Sequence, residues 1–404
     1  MNLDTRRPNQ LLRYARQEQG WSQQRLAEKI GTTEDVVSRW ERGTRMPSPY
    51  YREKLCQLFQ KNARELGLLS LPLMKEYRPS TSVVYVQGGK RSIMAYLEHF
   101  AFGKLSTTWI VMDGDGKESY RRRNVFTHFE PKSEVLPPDL RARKRQVEEQ
   151  QTDNRDRGLA FHWNGQRYSL SRFVISRDGL AEDLVLDLWF TPSDYYTFLA
   201  TNMALDDPGV RDKYLGEAVD WSKPVPFFSN SFGLYLTVIT ADNQVLLTSR
   251  GRGVGSRPGE YNISVCEGLG TIDAHTSPGQ APDLYACAQR GMREELGLTE
   301  IEDFSTEDIQ IFSFGVDTWY AQWGLLGLAR VQKTAQEILN YRNAGVKDRL
   351  ENAEIHQLHF DVDEVVAFVF AHQPWAPGGL ACLYHTLIHE FGRTRVAEAM
   401  ARYL

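Results

Sequence analysis

A chain of 404 residues exceeds one ordinary core and suits two or three domains, and 41% hydrophobic with 25% charged residues is the composition of a folded, water-exposed protein. No apolar run approaches the ~18–20 residues that cross a bilayer, and MNLDTRRPNQ has no apolar stretch behind its arginines, so a cytoplasmic location is expected. The net charge of −4 hides an asymmetry: residues 1–70 hold 13 Lys and Arg against 8 Asp and Glu, the remainder 35 against 44, a basic module on an acidic body.

In chain order, five short helices are predicted first. They are Asn9–Gln19, a helix capped by Ser22 and ending at Ile30–Gly31, Thr33–Arg42 closed by Gly43, a helix opened by Ser48 with Pro49 in its first turn, and Asn62–Leu69. Two prolines in Leu71–Pro79 mark a linker over 71–80. A mainly-β middle domain is expected over 81–225. Its strands are Ser82–Val86, Thr107–Met112, Ser119–Phe129, Gln166–Ile175 and Leu184–Phe190, with a helix at Ile93–Phe102 and turn chemistry in Asp113–Gly116. The polar stretch from Lys132 to Gly158, with RARKR at 141–145, reads as exposed helix or loop.

The last domain is expected over 229–404. It opens with the hairpin Gly233–Thr240 and Gln244–Ser249, then a strand at Ile263–Cys266, a Gly-rich loop and a helix from Pro282 to Leu296. Strands Ile309–Thr318 and Tyr320–Val331 precede helices at Ala335–Asn343 and Asp363–Ala371, and Leu380–Leu404 is helical sequence. Cys56, Cys266, Cys287 and Cys382 lie far apart without a CxxC pair and read as reduced thiols. His385 and His389 are four apart but lack the HExxH order, and read as ordinary helix residues.

Two segments carry chemistry. In WSQQRLAEKIGTTEDVVSRWERG (Trp21 to Gly43), Leu26, Ala27, Ile30, Val37 and Trp40 form an apolar seam between two crossing helices, Ala27 permits close approach, and Gly31 permits the tight turn. Polar positions stay outside that seam. Gln23 starts the first helix, and Thr33, Glu34, Asp35, Ser38 and Arg39 line the second, whose N-terminal end would enter the major groove. Arg39 suits a bidentate guanine contact, Gln23 or Gln24 an adenine or a phosphate, and Glu34 or Asp35 a cytosine amino group. Thr32, Arg42, Thr44 and Arg45 suit the phosphate backbone. The segment resembles the Cro/C1-type (XRE) helix-turn-helix family, which implies double-stranded DNA as partner and a transcriptional regulator. A homodimer is expected, because one such head reads only a short half-site.

The second segment is DLYACAQRGMREELGL (Asp283 to Leu298). On a helix, positions 291, 294 and 295 share one face, and the carboxylates of Glu294 and Glu295 there suit Mg²⁺, which bridges phosphates. Arg290, Met292, Glu294, Glu295, Gly297 and Leu298 match the end of the Nudix box, R-E-U-x-E-E-x-G-U with U apolar, and the run resembles that family. The resemblance implies a Nudix-like α/β/α sandwich and a nucleotide or diphosphate-containing ligand, with Glu294 and Glu295 as catalytic candidates; Glu267, just after the strand, is a candidate third ligand by its position. Gly291 stands where the family has its catalytic glutamate, Pro282 (with Asp283 adjacent) at the upstream glutamate and Thr276 at the upstream glycine. The expectation is therefore ligand sensing without turnover; the alternative is an active pyrophosphohydrolase carrying a DNA-binding head. Ser264-Val265-Cys266 also resembles the reactive-cysteine segment of isopentenyl diphosphate isomerases, but no histidine follows in the matching place and Cys266 reads as a packed strand residue. The fold class expected is multidomain α+β: an all-α head over 1–70, a mainly-β middle and a Nudix-like C-terminal domain.

Overall fold

The computed structural model describes residues 9–61, 63, 66–68, 97–132, 134–178, 183–216, 219–251, 257–275, 280–346 and 352–403. The linker at 71–80 and the strand expected at 82–86 lie outside the described residues. The chain forms two compact units, one from Met1–Arg78 with Ser176–Val185, the other from Pro79–Ile175 with Leu186–Leu404.

The first unit is helical: α1 (Gln10–Glu18), α2 (Gln23–Ile30), α3 (Glu34–Glu41) and α4 (Pro49–Phe59). Each begins on a short polar cap. Asn9 Oδ1 accepts from Leu12 N at 3.1 Å, Ser22 Oγ from Arg25 N at 3.0 Å, Thr33 from Val36 N and Ser48 from Tyr51 N. Gly31 ends α2 at φ 77°, a left-handed conformation that lets α3 turn away at once. Leu12, Ala15, Leu26, Ala27, Ile30, Val36, Val37, Trp40, Tyr51, Leu55 and Phe59 fill one core, joined by Leu66 and Leu68. Of the fifth helix expected at Asn62–Leu69, the described residues Ala63, Leu66 and Gly67 form turns, and Asn9 holds the segment by donating to the Leu66 and Gly67 carbonyls at 3.0 and 3.1 Å.

Among the described residues the second unit opens with β1 (His99–Phe102) and β2 (Leu105–Asp113); of the helix expected over Ile93–Phe102, residues 93–96 lie outside the described residues and 99–102 form strand. The Gly103–Lys104 turn, with Gly103 at φ 60°, pairs Phe102 with Leu105 and makes β1 and β2 a hairpin. Next come β3 (Val125–Phe129), shorter than the strand expected from Ser119, and α5 (Pro138–Asp156), which resolves the polar stretch as a helix. Then follow β4 (Gln166–Arg177), β5 (Leu184–Asp194), and two short helices that the strand pattern did not anticipate, α6 (Tyr195–Thr201) and α7 (Pro208–Tyr214).

The C-terminal half supplies β6 (Phe232–Ile239), β7 (Gln244–Arg250), β8 (Tyr261–Asn262), β9 (Val265–Gly268), α8 (Leu284–Leu296), β10 (Ile309–Asp317), β11 (Gln322–Arg330), α9 (Ala335–Gly345), β12 (Asn352–His359), α10 (Val362–Ala371), α11 (Pro377–Phe391) and α12 (Arg393–Met400). A large mixed sheet runs β1-β2-β10-β11-β6-β7-β12, with β8 on β7 and β9 on β6; a small sheet runs β3-β5-β4. The expected middle domain is thus split, its first hairpin extending the large sheet through the β2–β10 pairing. β6 and β11 pair in parallel at the centre. Side chains alternate across β6. Thr237 faces α11, where Thr386 donates to it at 3.0 Å, while Leu236 pairs with Val265 on the face that α8 covers. Helices therefore cover both faces of the sheet. Among the described residues no helix is long and apolar enough to cross a membrane.

Candidate functional site

In the first unit, α2 and α3 cross with the seam Leu26, Ala27, Ile30, Val37 and Trp40 buried, as their spacing requires. Tyr51 Oη and Lys54 Nζ of α4 each donate at 2.9 Å to carbonyls at the end of α2, Gly31 and Ile30, fixing the turn between the two helices. A buried ion pair braces the base of α3. Arg16 meets Glu41 through Nε–Oε1 at 2.5 Å and Nη2–Oε2 at 2.9 Å, and also donates to the Trp21 carbonyl at 2.6 Å. The Glu41 hydrogen bond holds the Arg16 guanidinium's pKa above its ordinary value, against the opposing effect of burial.

The polar positions named from the sequence separate into three groups. Gln24, Thr33, Glu34, Asp35 and Arg42 are exposed, and Thr32, Ser38 and Thr44 are half-buried. Gln23 is half-buried and donates to Glu41 Oε2 at 2.8 Å, so its amide orients the buried ion pair. Arg39 and Arg45 are drawn inward. Arg39 pairs with Asp35 at 3.0 Å, and both arginines meet Asp183 of the Ser176–Val185 segment, at 3.8 and 3.5 Å. Arg45 is only 7% exposed. Arg16, Glu41 and Asp183 went unnoticed in the sequence. The first two carried a legible signal, since Arg16 follows Leu12 by four and Glu41 follows Val37 by four, charges on the apolar stripes of α1 and α3.

In the second unit α8 starts on Asp283, whose Oδ1 accepts from Tyr285 N at 2.8 Å and Ala286 N at 3.2 Å, and ends at Gly297, φ 77°. Arg290 organises the acidic groups around it. Its guanidinium contacts Glu267 at 2.7 Å, Asp273 at 2.7 and 2.8 Å, and Glu294 at 3.7 Å. Burial disfavours the Arg290 charge, but the Asp273 hydrogen bonds and neighbouring negative charge outweigh it and hold the pKa above its ordinary value. Glu295, 5% exposed, accepts from Cys266 N at 2.9 Å and so splints the end of β9 to α8. A Cβ on Gly291 would lie 2.7 Å from Val265 Cγ1 and 2.8 Å from Glu267 Cβ. The space a residue-291 side chain would need is filled by Glu267.

This arrangement does not fit Mg²⁺. Glu267 and Glu294 face a guanidinium, Glu295 faces a backbone amide, and among the described residues no three His, Cys, Asp or Glu side chains converge as a metal site. Cys287 is buried against the Glu267 carbonyl, and burial pushes its thiol's pKa well up. His385 is buried among Phe100, Phe312 and Tyr384, and His389 stacks on Phe312, so the two imidazoles serve packing.

The family described as Helix-turn-helix matches residues 12–66, the segment that folds as α1 to α4 with the turn beyond. The N-terminal unit is a helix-turn-helix domain. No curated protein matches the chain. Among solved structures, the chain is similar to the DR0079 protein of Deinococcus radiodurans at 12% identity, over 42% of this chain and 85% of that one, TM-score 0.25. It is likewise similar to the MutT protein of Methanosarcina mazei Go1 at 13% identity, over 41% and 94%, TM-score 0.25.

Proposed function

We propose that the chain is a DNA-binding transcriptional regulator that reads a specific duplex sequence through α3. The observation that carries this reading is the helix-turn-helix geometry with its polar residues gathered at the N-terminal end of α3, where Thr33, Glu34 and Asp35 are exposed and Ser38 and Arg39 follow on the next turn. Thr32 precedes that end, Arg42 and Thr44 follow the other end of α3, all three suit phosphates, and Gln24 is exposed on α2. A homodimer is part of the proposal, since two heads would read two half-sites one helical turn apart. The test is selection of binding sites from random duplexes by the full chain. Selected and random DNA should differ in affinity, with Arg39→Ala costing ~1–3 kcal/mol and relaxing preference at one base pair. Equal affinity for selected and random duplexes would sink the reading.

The second unit is proposed to be a Nudix-like body that senses a nucleotide or diphosphate-containing ligand without hydrolysing it. The box residues along α8 support the family likeness, and the filled space at Gly291 favours binding over turnover. The ligand would act by binding one of two DNA-affinity states better than the other. Calorimetry with a nucleotide panel, alongside product analysis, checks this, and turnover abolished by Glu295→Gln would replace it with the hydrolase alternative.

A further inference from the structure

We propose that Asp183 is a built-in competitor for DNA, holding the base-reading Arg39 and the phosphate-contacting Arg45 of the helix-turn-helix domain until DNA displaces it; the proposal rests on the DNA-binding reading above. Its carboxylate lies 3.5 Å from Arg45 Nη1 and 3.8 Å from Arg39 Nη1. The three side chains are 10%, 5% and 21% exposed, so the contact is sheltered and salt screens it less than a surface pair. The segment that brings Asp183 there, Ser176–Val185, is remote from the helices in sequence but belongs to the same compact unit, and the Asp178 N to Asp183 O bond at 3.0 Å closes it. A carboxylate and a phosphodiester offer a guanidinium the same anionic oxygens, and both cannot occupy one place. Arg39 Nε is also buried without a hydrogen-bond partner among the described residues, so the guanidinium retains a donor that Asp183 and Asp35 leave unused.

The sign of one substitution decides. In the full chain, Asp183→Asn keeps the shape and removes the charge. Competition predicts about tenfold tighter binding to the selected duplex and a steeper salt dependence, since phosphates then replace the lost carboxylate. Asp183→Glu, which keeps the charge, should bind like the unaltered chain. A purely structural role predicts weaker binding by Asp183→Asn, and weaker or unchanged affinity overturns the proposal. Should Asp183→Asn fail to fold, hydrogen exchange on the unaltered chain decides. Saturating DNA should speed exchange at Asp178 if the contact breaks, and unchanged exchange there overturns the proposal. If the unaltered chain and Asp183→Asn alike bind selected and random duplexes equally, the DNA reading itself has failed and the competitor with it; a sequence preference without tightening removes the competitor alone.

Discussion

Arg16 and Glu41 are buried together in the first unit, and their importance lies less in mutual attraction than in the damage done by removing either one. Loss of a single partner leaves a buried charge uncompensated. Glu41→Ala should therefore destabilise the first unit by about 3–5 kcal/mol, read as a lower denaturant midpoint for its unfolding, whereas an exposed pair such as Arg25–Glu28 should contribute about 1 kcal/mol or less. Glu41→Ala also frees the Gln23 amide, so any surviving DNA affinity should show altered sequence preference. In the second unit, burial drives the His385 pKa down to about 3. The unfolded chain takes up that proton near the ordinary histidine value of about 6.5, and the folded chain does not until about pH 3. Proton uptake by the unfolded state alone means that His385 lowers stability as pH falls between those limits. Melting temperatures from pH 7 to pH 4 should fall, and His385→Leu should flatten the decline; an identical decline in the variant removes His385 as its cause.

At the scale of elements, α8 shows how a local motif and its surroundings diverge. Gly291 is where β9 and the Glu267 side chain press against the helix, so Gly291→Ala should cost about 1–3 kcal/mol through overpacking, seen as a lowered melting temperature of the second unit. Gly291→Glu should destabilise it further and create no pyrophosphatase, a result checked by product analysis. The four leading helices were legible because caps, seam and Gly31 all encode one local answer. In the second unit the expected strands Thr107–Met112, Gly233–Thr240 and Ile309–Thr318 match β2, β6 and β10 closely, since apolar runs of that length are buried strands. Partnership was not legible: nothing in HFAF announces that His99–Phe102 will pair with its successor and extend a sheet built mainly two hundred residues later. Strand β12 was missed because its alternation is polar and, among the described residues, it pairs with β7 alone. The Arg290–Asp273 pair was equally hidden, as the loop that carries Asp273 offers no spacing rule.

At the scale of the whole molecule, a basic head on an acidic body should make DNA affinity fall steeply with salt. Each phosphate neutralised by a Lys or Arg contributes a slope of about −0.9 on logarithmic axes, so three or four contacts from Arg42, Arg45 and nearby basic groups predict a slope of about −3, measured by anisotropy across salt concentrations. A flat profile would point to a protein partner for the head. The pairing of β2 with β10 and of β6 with β11 has a consequence of another kind, in time. The head's core closes within residues 12–68, whereas Trp109 must find Asp317 and Phe232 must find Trp323. Distant pairings of this sort are slow, so refolding should show a fast phase for the head and a phase slower by about tenfold or more for the body. On the ribosome the interval is set by synthesis, roughly 5–20 residues per second. The helix-turn-helix is complete more than a hundred residues before Ser176–Val185 has been made. For roughly 5–20 s, then, each nascent chain carries a finished head whose Arg39 and Arg45 have not yet met Asp183, and a body that cannot yet close its sheet.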